Sequence, residues 1–171
     1  MSLLCLILAG GKSTRMGQDK ALLYDSTNIL SKKLEALGCR VIIACGSRKR
    51  ANHFESDCWF DPPHTNSLGE VIYAFVAEHE EEVQLFPCDM YRLDDGALAM
   101  ILAQSPGVPI DSEAIEQFTL TRIPAQSNLP EAMSLSKLFS GLGRNNLNSL
   151  GNRLENFNHP GQIDDLSKSD Q

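Results

Sequence analysis

The sequence predicts an α/β fold built on a doubly wound, mainly parallel sheet. Three observations lead there. Short apolar runs recur at residues 3–8, 40–45, 58–60 and 83–86, the pattern of strands buried on both faces. Stretches with helical apolar spacing alternate with them at 29–37, 71–79 and 93–102. Chemistry-bearing turns follow three of the runs: Gly10-Gly11, Asp61, and Pro87-Cys88-Asp89. In such a sheet, ligands sit outside the carboxyl ends of the strands, where the winding reverses. All three turns are therefore expected on one edge.

Each element has a local reason. Residues 3–8 form an unbroken apolar strand ending in Leu8. Tyr24-Asp25-Ser26 is a turn, and residues 29–37 place apolar side chains at 29, 30, 34 and 37, with Gly38 as the stop. Residues 40–45 are β-branched and read as a second strand, so the first forty-five residues form a strand, loop, helix and strand. Residues 46–50 read as a loop whose Ser47, Arg48, Lys49 and Arg50 either form a solvated charge run, the favoured reading, or lie near a nucleotide. Cys58-Trp59-Phe60 ends at Asp61, beside a solvated loop histidine, His64. Residues 71–79 are a buried helix, and residues 78–82 are its acidic, solvated end. The helix over 93–102 has Asp94 or Asp95 in its first turn. Ser134 caps a short helix over 134–139.

The stretch that organises the chain runs from Leu8 to Leu23: Leu8-Ala9-Gly10-Gly11-Lys12-Ser13-Thr14-Arg15-Met16-Gly17-Gln18-Asp19-Lys20-Ala21-Leu22-Leu23. Adjacent glycines allow close approach of a backbone to a ligand, and exposed N–H groups beside three cations form an anion cradle. A P-loop would need glycine at position 6, where Leu6 stands, and GxGxxG fails because Gly10 and Gly11 are adjacent. Asp61 and Asp89, brought to the same edge, make a hard oxygen site suited to Mg²⁺, which takes one or two carboxylates plus phosphates.

Composition narrows the classes. The chain has 171 residues, 42% of them hydrophobic, enough for one sizeable core and one expected domain, 1–171. A net charge of −7 argues against general binding to nucleic acid or to an anionic membrane. Five cysteines without a short CxxC pair suit reduced core thiols better than disulfides or zinc. The opening apolar run is short for a signal peptide, and no segment approaches the ~20 apolar residues of a membrane span. A cytoplasmic home is the expectation.

The run LAGG-x-S-x-RMG-x-DKALL over 8–23, with Pro87-Cys88-Asp89-Met90, resembles the molybdenum cofactor guanylyltransferases, the MobA-like nucleotidyltransferases. The resemblance implies a three-layer, Rossmann-like nucleotidyltransferase fold. Residues 1–104 then form the nucleotide-binding part and 105–166 a shortened acceptor side, with Gln117-Phe118-Thr119-Leu120 nearest the family's acceptor-binding stretch. It implies transfer of GMP from GTP to molybdopterin or a related phosphate acceptor, with Mg²⁺. Leu8, Ala9, Gly10 and Gly11 would bind the nucleotide, the first three meeting the base through their backbone. Arg15 would hold phosphates bidentately, and Lys20 would neutralise charge growing on the α-phosphate. Asp61 and Asp89 would bind nucleotide and metal, with Lys20, Arg15 and Asp89 the catalytic set. Lys12 is a weaker phosphate contact, and Asp19 orients the loop or caps the helix.

The departures are specific. Tyr91 replaces a final proline, Asn66-Ser67-Leu68-Gly69 stands for a Gly-Pro-Leu-Ala-Gly turn, and Ala44-Cys45-Gly46-Ser47 lacks a frequent asparagine. Ser134-Leu135 resembles the start of the family's segment before a small β-hairpin, and Phe157, Asn158, Pro160, Asp165 and Leu166 keep part of its ending. The LAGG start favours the guanylyl branch over the cytidylyl branch. A CTP- or sugar-phosphate-using transferase, or a low-turnover nucleotide-binding partner in cofactor assembly, are the alternatives. Self-association or contact with other assembly proteins fits either role.

Overall fold

The computed structural model describes residues 2–11 and 19–154. Lys12, Arg15 and Gly17, and the 157–166 ending, lie outside the described residues.

Four parallel strands carry the molecule: β1 (Leu4–Leu8), β2 (Arg40–Gly46), β3 (Asp57–Phe60) and β4 (Val83–Pro87). A two-residue strand, β6 (Arg122–Ile123), closes the sheet antiparallel to β4, giving the order β3-β2-β1-β4-β6. The chain thus winds outward through β2 and β3, then returns to place β4 on the other side of β1. The winding reverses between β1 and β4.

Alternate residues of β1 explain the layers. Cys5 and Ile7 join a cluster with Leu34 of α1 (Ser26–Ala36) and with Leu98 and Ile101 of α3 (Asp95–Leu102). Leu4, Leu6 and Leu8 join the opposite cluster with Ile72, Phe75 and Val76 of α2 (Leu68–Glu78). Every residue of β1 and β4 is buried, the property of a parallel sheet covered on both faces. The expected doubly wound, Rossmann-like architecture is what forms.

Helix ends follow side-chain chemistry. Asp94 caps α3 by accepting from the Ala97 amide at 2.7 Å, so this helix begins two residues later than its apolar spacing suggests. Ser67 and Glu70 form a reciprocal capping box at α2, which moves its start back to Leu68. Gly38, at φ +87°, ends α1. All five cysteines are free thiols, Cys5 and Cys45 being buried. Among the described residues, no helix is long and apolar enough to cross a membrane.

The compressed segment after residue 104 builds more than its length suggests. It forms β5 (Val108–Ile110), a 3₁₀ turn at Phe118–Leu120, β6, α4 (Leu135–Leu138) and β7 (Arg144–Asn146). Ser134 caps α4 as expected, accepting from the Lys137 amide. Where a hairpin was expected after α4, β7 instead pairs in parallel with β5, because a complementary edge is already present there. Gln84, fully buried in β4, ties the segment down by donating to the Leu120 carbonyl at 2.8 Å.

Gly69 locks this segment to α2. A Cβ added there would meet the carbonyl oxygens of Ala132, at 2.5 Å, and Met133. Gly→Ala inside a helix normally gains about 1 kcal/mol, but backbone carbonyls cannot rotate away, and overpacking costs roughly 1–3 kcal/mol. Gly69→Ala is therefore expected to lower Tm by about 2–6 °C, read by thermal melting. A rise in Tm would show that the 132–133 backbone yields freely.

Candidate functional site

Register puts the site together. Leu8 of β1 pairs with Ala44 of β2 on one side and Pro87 of β4 on the other. Gly46 pairs with Phe60, and the Asp61 amide donates to the Gly46 carbonyl at 3.1 Å. The glycine turn, Asp61 and Asp89 consequently leave the sheet at one level, as the sequence predicted.

They open onto one cleft of about 480 Å³. Its walls include Leu8, Ala9, Gly10, Gly11, Lys20, Asp61 and Asp89. Every described site residue predicted from sequence thus lies in one place. Thr119 lines the same cleft, so the 105–150 segment contributes a wall facing Asp89. A side pocket of about 350 Å³ adjoins it, lined by Gly10, Gly11, Asp19, Gly46, Ser47, Arg50 and Asp61.

Glycines make the turn thin. Gly10 lies so close to β2 that a Cβ on it would sit 3.2 Å from the Gly46 Cα. Gly46 has φ +84°, in the left-handed region, and a Cβ there would meet the Gly10 carbonyl oxygen at 3.1 Å. The pair brings the end of β1 against the end of β2 with no side chain between.

Lys20 reaches across the cleft. Its ammonium donates to Asp89 at 3.2 Å, with only 15% and 20% of the two side chains exposed. The Lys20 carbonyl accepts from the Tyr91 hydroxyl at 2.8 Å. Burial raises the Tyr91 phenol far above its ordinary value, so it remains an O–H donor. Of the two roles expected of Asp19, it orients the loop and caps no helix, since the next helical elements begin at Leu23 and Ser26. One carboxylate oxygen accepts from the Ala21 amide at 3.1 Å, and the other is ion-paired to Arg50.

Arg50 corrects the reading of 46–50 as a solvated run. The segment folds into a 3₁₀ turn, Arg48–His53, which swings the Arg50 guanidinium inward. It donates to the Ala9 carbonyl, to the Cys45 carbonyl at 2.8 Å, and to Asp19. One planar fork joins the ends of β1 and β2 to the turn carrying Lys20. Its neighbour Arg48 stacks over Phe60, 4.9 Å from the ring centroid. His64 is an exposed loop residue, as expected.

The carboxylates differ. Burial pushes the Asp61 carboxyl above the usual range, and Arg50 opposes this only in part. Among the described residues, no group of three or more His, Cys, Asp or Glu side chains is gathered to hold a metal by itself. Two carboxylates at a cleft mouth, one short of positive charge, fit a hard cation that completes its shell with phosphate oxygens and water. Burial also pushes the Cys88 thiol up to about 12, so it is no thiolate nucleophile at neutral pH.

The Asp61 shift has a sign. A carboxyl raised in the folded state binds more protons there than in the unfolded chain. Stability then falls as pH rises from the ordinary carboxylate value through the raised one. Asp61→Asn removes that penalty, so it should raise Tm at neutral pH, and the gain should vanish once pH falls below the carboxylate range. Melting curves at both ends check it; a gain independent of pH would refute the charge explanation.

The profile of the MobA-like NTP transferase domain matches residues 5–129. No curated protein matches the chain. Among solved structures, a protein from Aquifex aeolicus VF5 (Aq1419) is 19% identical, with a TM-score of 0.68 over 92% of this chain and 94% of that one. The 4-diphosphocytidyl-2C-methyl-D-erythritol synthase of Anaerococcus prevotii is 8% identical, with a TM-score of 0.59 over 98% and 97%. At these identities the two structures speak for the fold alone, while the profile covers most of the chain, including β2 to β4, all but the first residue of β1, and all the described cleft residues. The chain belongs to the MobA-like NTP transferase family and is a nucleotidyltransferase.

Proposed function

We propose that the protein transfers GMP from GTP to a molybdopterin-type phosphate acceptor. A phosphate oxygen of the acceptor attacks the α-phosphorus in line, the bond to the β-phosphate oxygen breaks, and pyrophosphate leaves. The observation that carries this reading is the Lys20–Asp89 pair at the reversal of the sheet, facing the glycine turn across one cleft. The LAGG start and the Pro87-Cys88-Asp89-Met90 turn support the guanylyl and molybdopterin assignments.

Each residue then has a task. The amides at Gly10 and Gly11 receive phosphate oxygens where no side chain blocks approach. Lys20 leaves Asp89 for the phosphates and neutralises charge growing on the α-phosphate, while Arg15 clamps the others. Asp61 and Asp89 would hold Mg²⁺, which supplies charge neutralisation to the triphosphate and the departing pyrophosphate. Leu68, Val71 and Thr119 form the wall against which the acceptor rests. The reaction is positioning and electrostatics, without a covalent enzyme intermediate.

A binding panel of GTP, CTP, ATP and UTP, each with and without Mg²⁺, tests the assignment by calorimetry. GTP should bind tightest, and only with the metal; a preference for CTP would overturn the guanine assignment. Lys20→Ala should lower transfer by roughly 10²–10³-fold, the range for losing one transition-state charge contact, assayed well below Tm because Asp89 loses its partly buried partner. Asp89→Asn should lower the rate and flatten its Mg²⁺ dependence together; an unaltered metal titration would remove Asp89 from the ligands.

A further inference from the structure

Lys20 must be aimed as well as charged. A lysine side chain has four rotatable carbons, and its ammonium is a point charge with no directional fork. Its position therefore depends on how firmly its own peptide is held. Two side chains from elsewhere in the chain hold it. Tyr91, 71 residues away, donates its hydroxyl to the Lys20 carbonyl at 2.8 Å. Arg50, 31 residues from Asp19, pairs with the carboxylate whose other oxygen accepts from the Ala21 amide. Both contacts thus fasten one peptide, the unit joining Lys20 to Ala21, the first at its carbonyl and the second at its amide.

The two braces have different anchors. Tyr91 immediately follows the turn that carries Asp89, so Lys20 and its acidic partner are referred to the same segment. Arg50 is referred to the sheet, through the carbonyls of Ala9 and Cys45. Lys20 is therefore fixed relative to both the glycine turn and Asp89, the two groups between which a triphosphate would lie. Neither side chain needs to touch the ligand for this. Tyr91 is not among the residues lining the cleft, and Arg50, which lines the adjoining side pocket, directs donors to three protein oxygens.

We propose that Tyr91 and Arg50 are positioning residues for Lys20, bracing the turn Asp19–Ala21 so that its ammonium meets charge developing on the substrate. The proposal rests on the nucleotidyl-transfer reading above. A loosened brace misdirects Lys20 chiefly in the transition state, so it should appear in kcat and spare ground-state nucleotide binding.

Two conservative variants test it. Tyr91→Phe keeps the ring and removes the hydroxyl. Arg50→Lys keeps the charge and removes the fork. Each is expected to lower kcat by about tenfold, the scale of one lost hydrogen bond, with KM for the nucleotide within about twofold. Amide hydrogen exchange over residues 19–25 should quicken by at least about fivefold in the absence of nucleotide, from the same local opening. A kcat unchanged at temperatures well below Tm overturns the proposal, because a merely structural contact would lower only Tm. A raised KM with kcat unchanged would make Arg50 a ligand contact and also overturn it. If the wild-type protein transfers no nucleotide at all, the transfer reading fails, while exchange over 19–25 still decides whether the braces hold the turn.

Discussion

The site depends on one constraint above the rest: β1 is shared between two parallel partners in register. Leu8 stands beside Ala44 and Pro87 at once, so whatever follows each strand emerges at one height. These ladders hold their register because every residue of β1 and β4 is buried on one face or the other, and a one-residue slip would exchange the faces. Leu4, Leu6 and Leu8 would then confront the layer of α1 and α3, which is packed around Cys5 and Ile7. The apolar core thus sets the height at which Gly10 meets Asp89, without either residue taking part in it.

Arg50 converts that register into a fixed turn. Carbonyls at the carboxyl ends of parallel strands have no further strand to bond, and Ala9 and Cys45 are in this position. A guanidinium with five donors satisfies both and retains a face for Asp19. One guanidinium nitrogen meets both carbonyls and the other meets Asp19, a span that the single nitrogen of a lysine does not have. The bonded groups are largely buried, which makes them stronger than their surface equivalents and makes any orphaned member costly. The same residue is why Asp61, nearby, is only partly relieved of its burial penalty: the guanidinium is already shared among three oxygens.

Much of this was legible in the amino-acid order, and the reasons it was legible are physical. Parallel strands buried on both faces read as unbroken apolar runs, so β1, β2 and β4 announce themselves. The chemistry-bearing turns sit at strand ends and are local in sequence, so Gly10, Gly11, Asp61 and Asp89 could be placed on one edge beforehand. Three things escaped. Arg50 lies in Ser47-Arg48-Lys49-Arg50, where a solvated run and an inward guanidinium look alike until the 3₁₀ turn chooses between them. Tyr91 acts across 71 residues, and only its place directly after the Pro87-Cys88-Asp89-Met90 turn hinted at it. The two residues of β6 carry no strand pattern of their own, and they pair because β4 offers an open edge and Gln84 draws in the neighbouring turn.

Charge explains why a metal belongs in this reading at all. The described walls of the cleft and its side pocket carry three acids, Asp19, Asp61 and Asp89, against two cations, Lys20 and Arg50. Three minus two leaves one net negative charge facing a polyanionic ligand, inside a chain already at −7. Lys20 and Arg50 are moreover each engaged with an acid. A triphosphate entering such a cleft meets repulsion unless more positive charge arrives with it. Under the proposed function Arg15 and Lys12 would be one source, and a divalent cation carried by the nucleotide the other. The second would also relieve Asp61, whose carboxyl burial pushes above its usual range. It further releases Asp89 from depending on Lys20, freeing the ammonium for the phosphates. Under the proposed function the acids would then do more than decorate the cleft: they would favour a nucleotide that arrives with its metal.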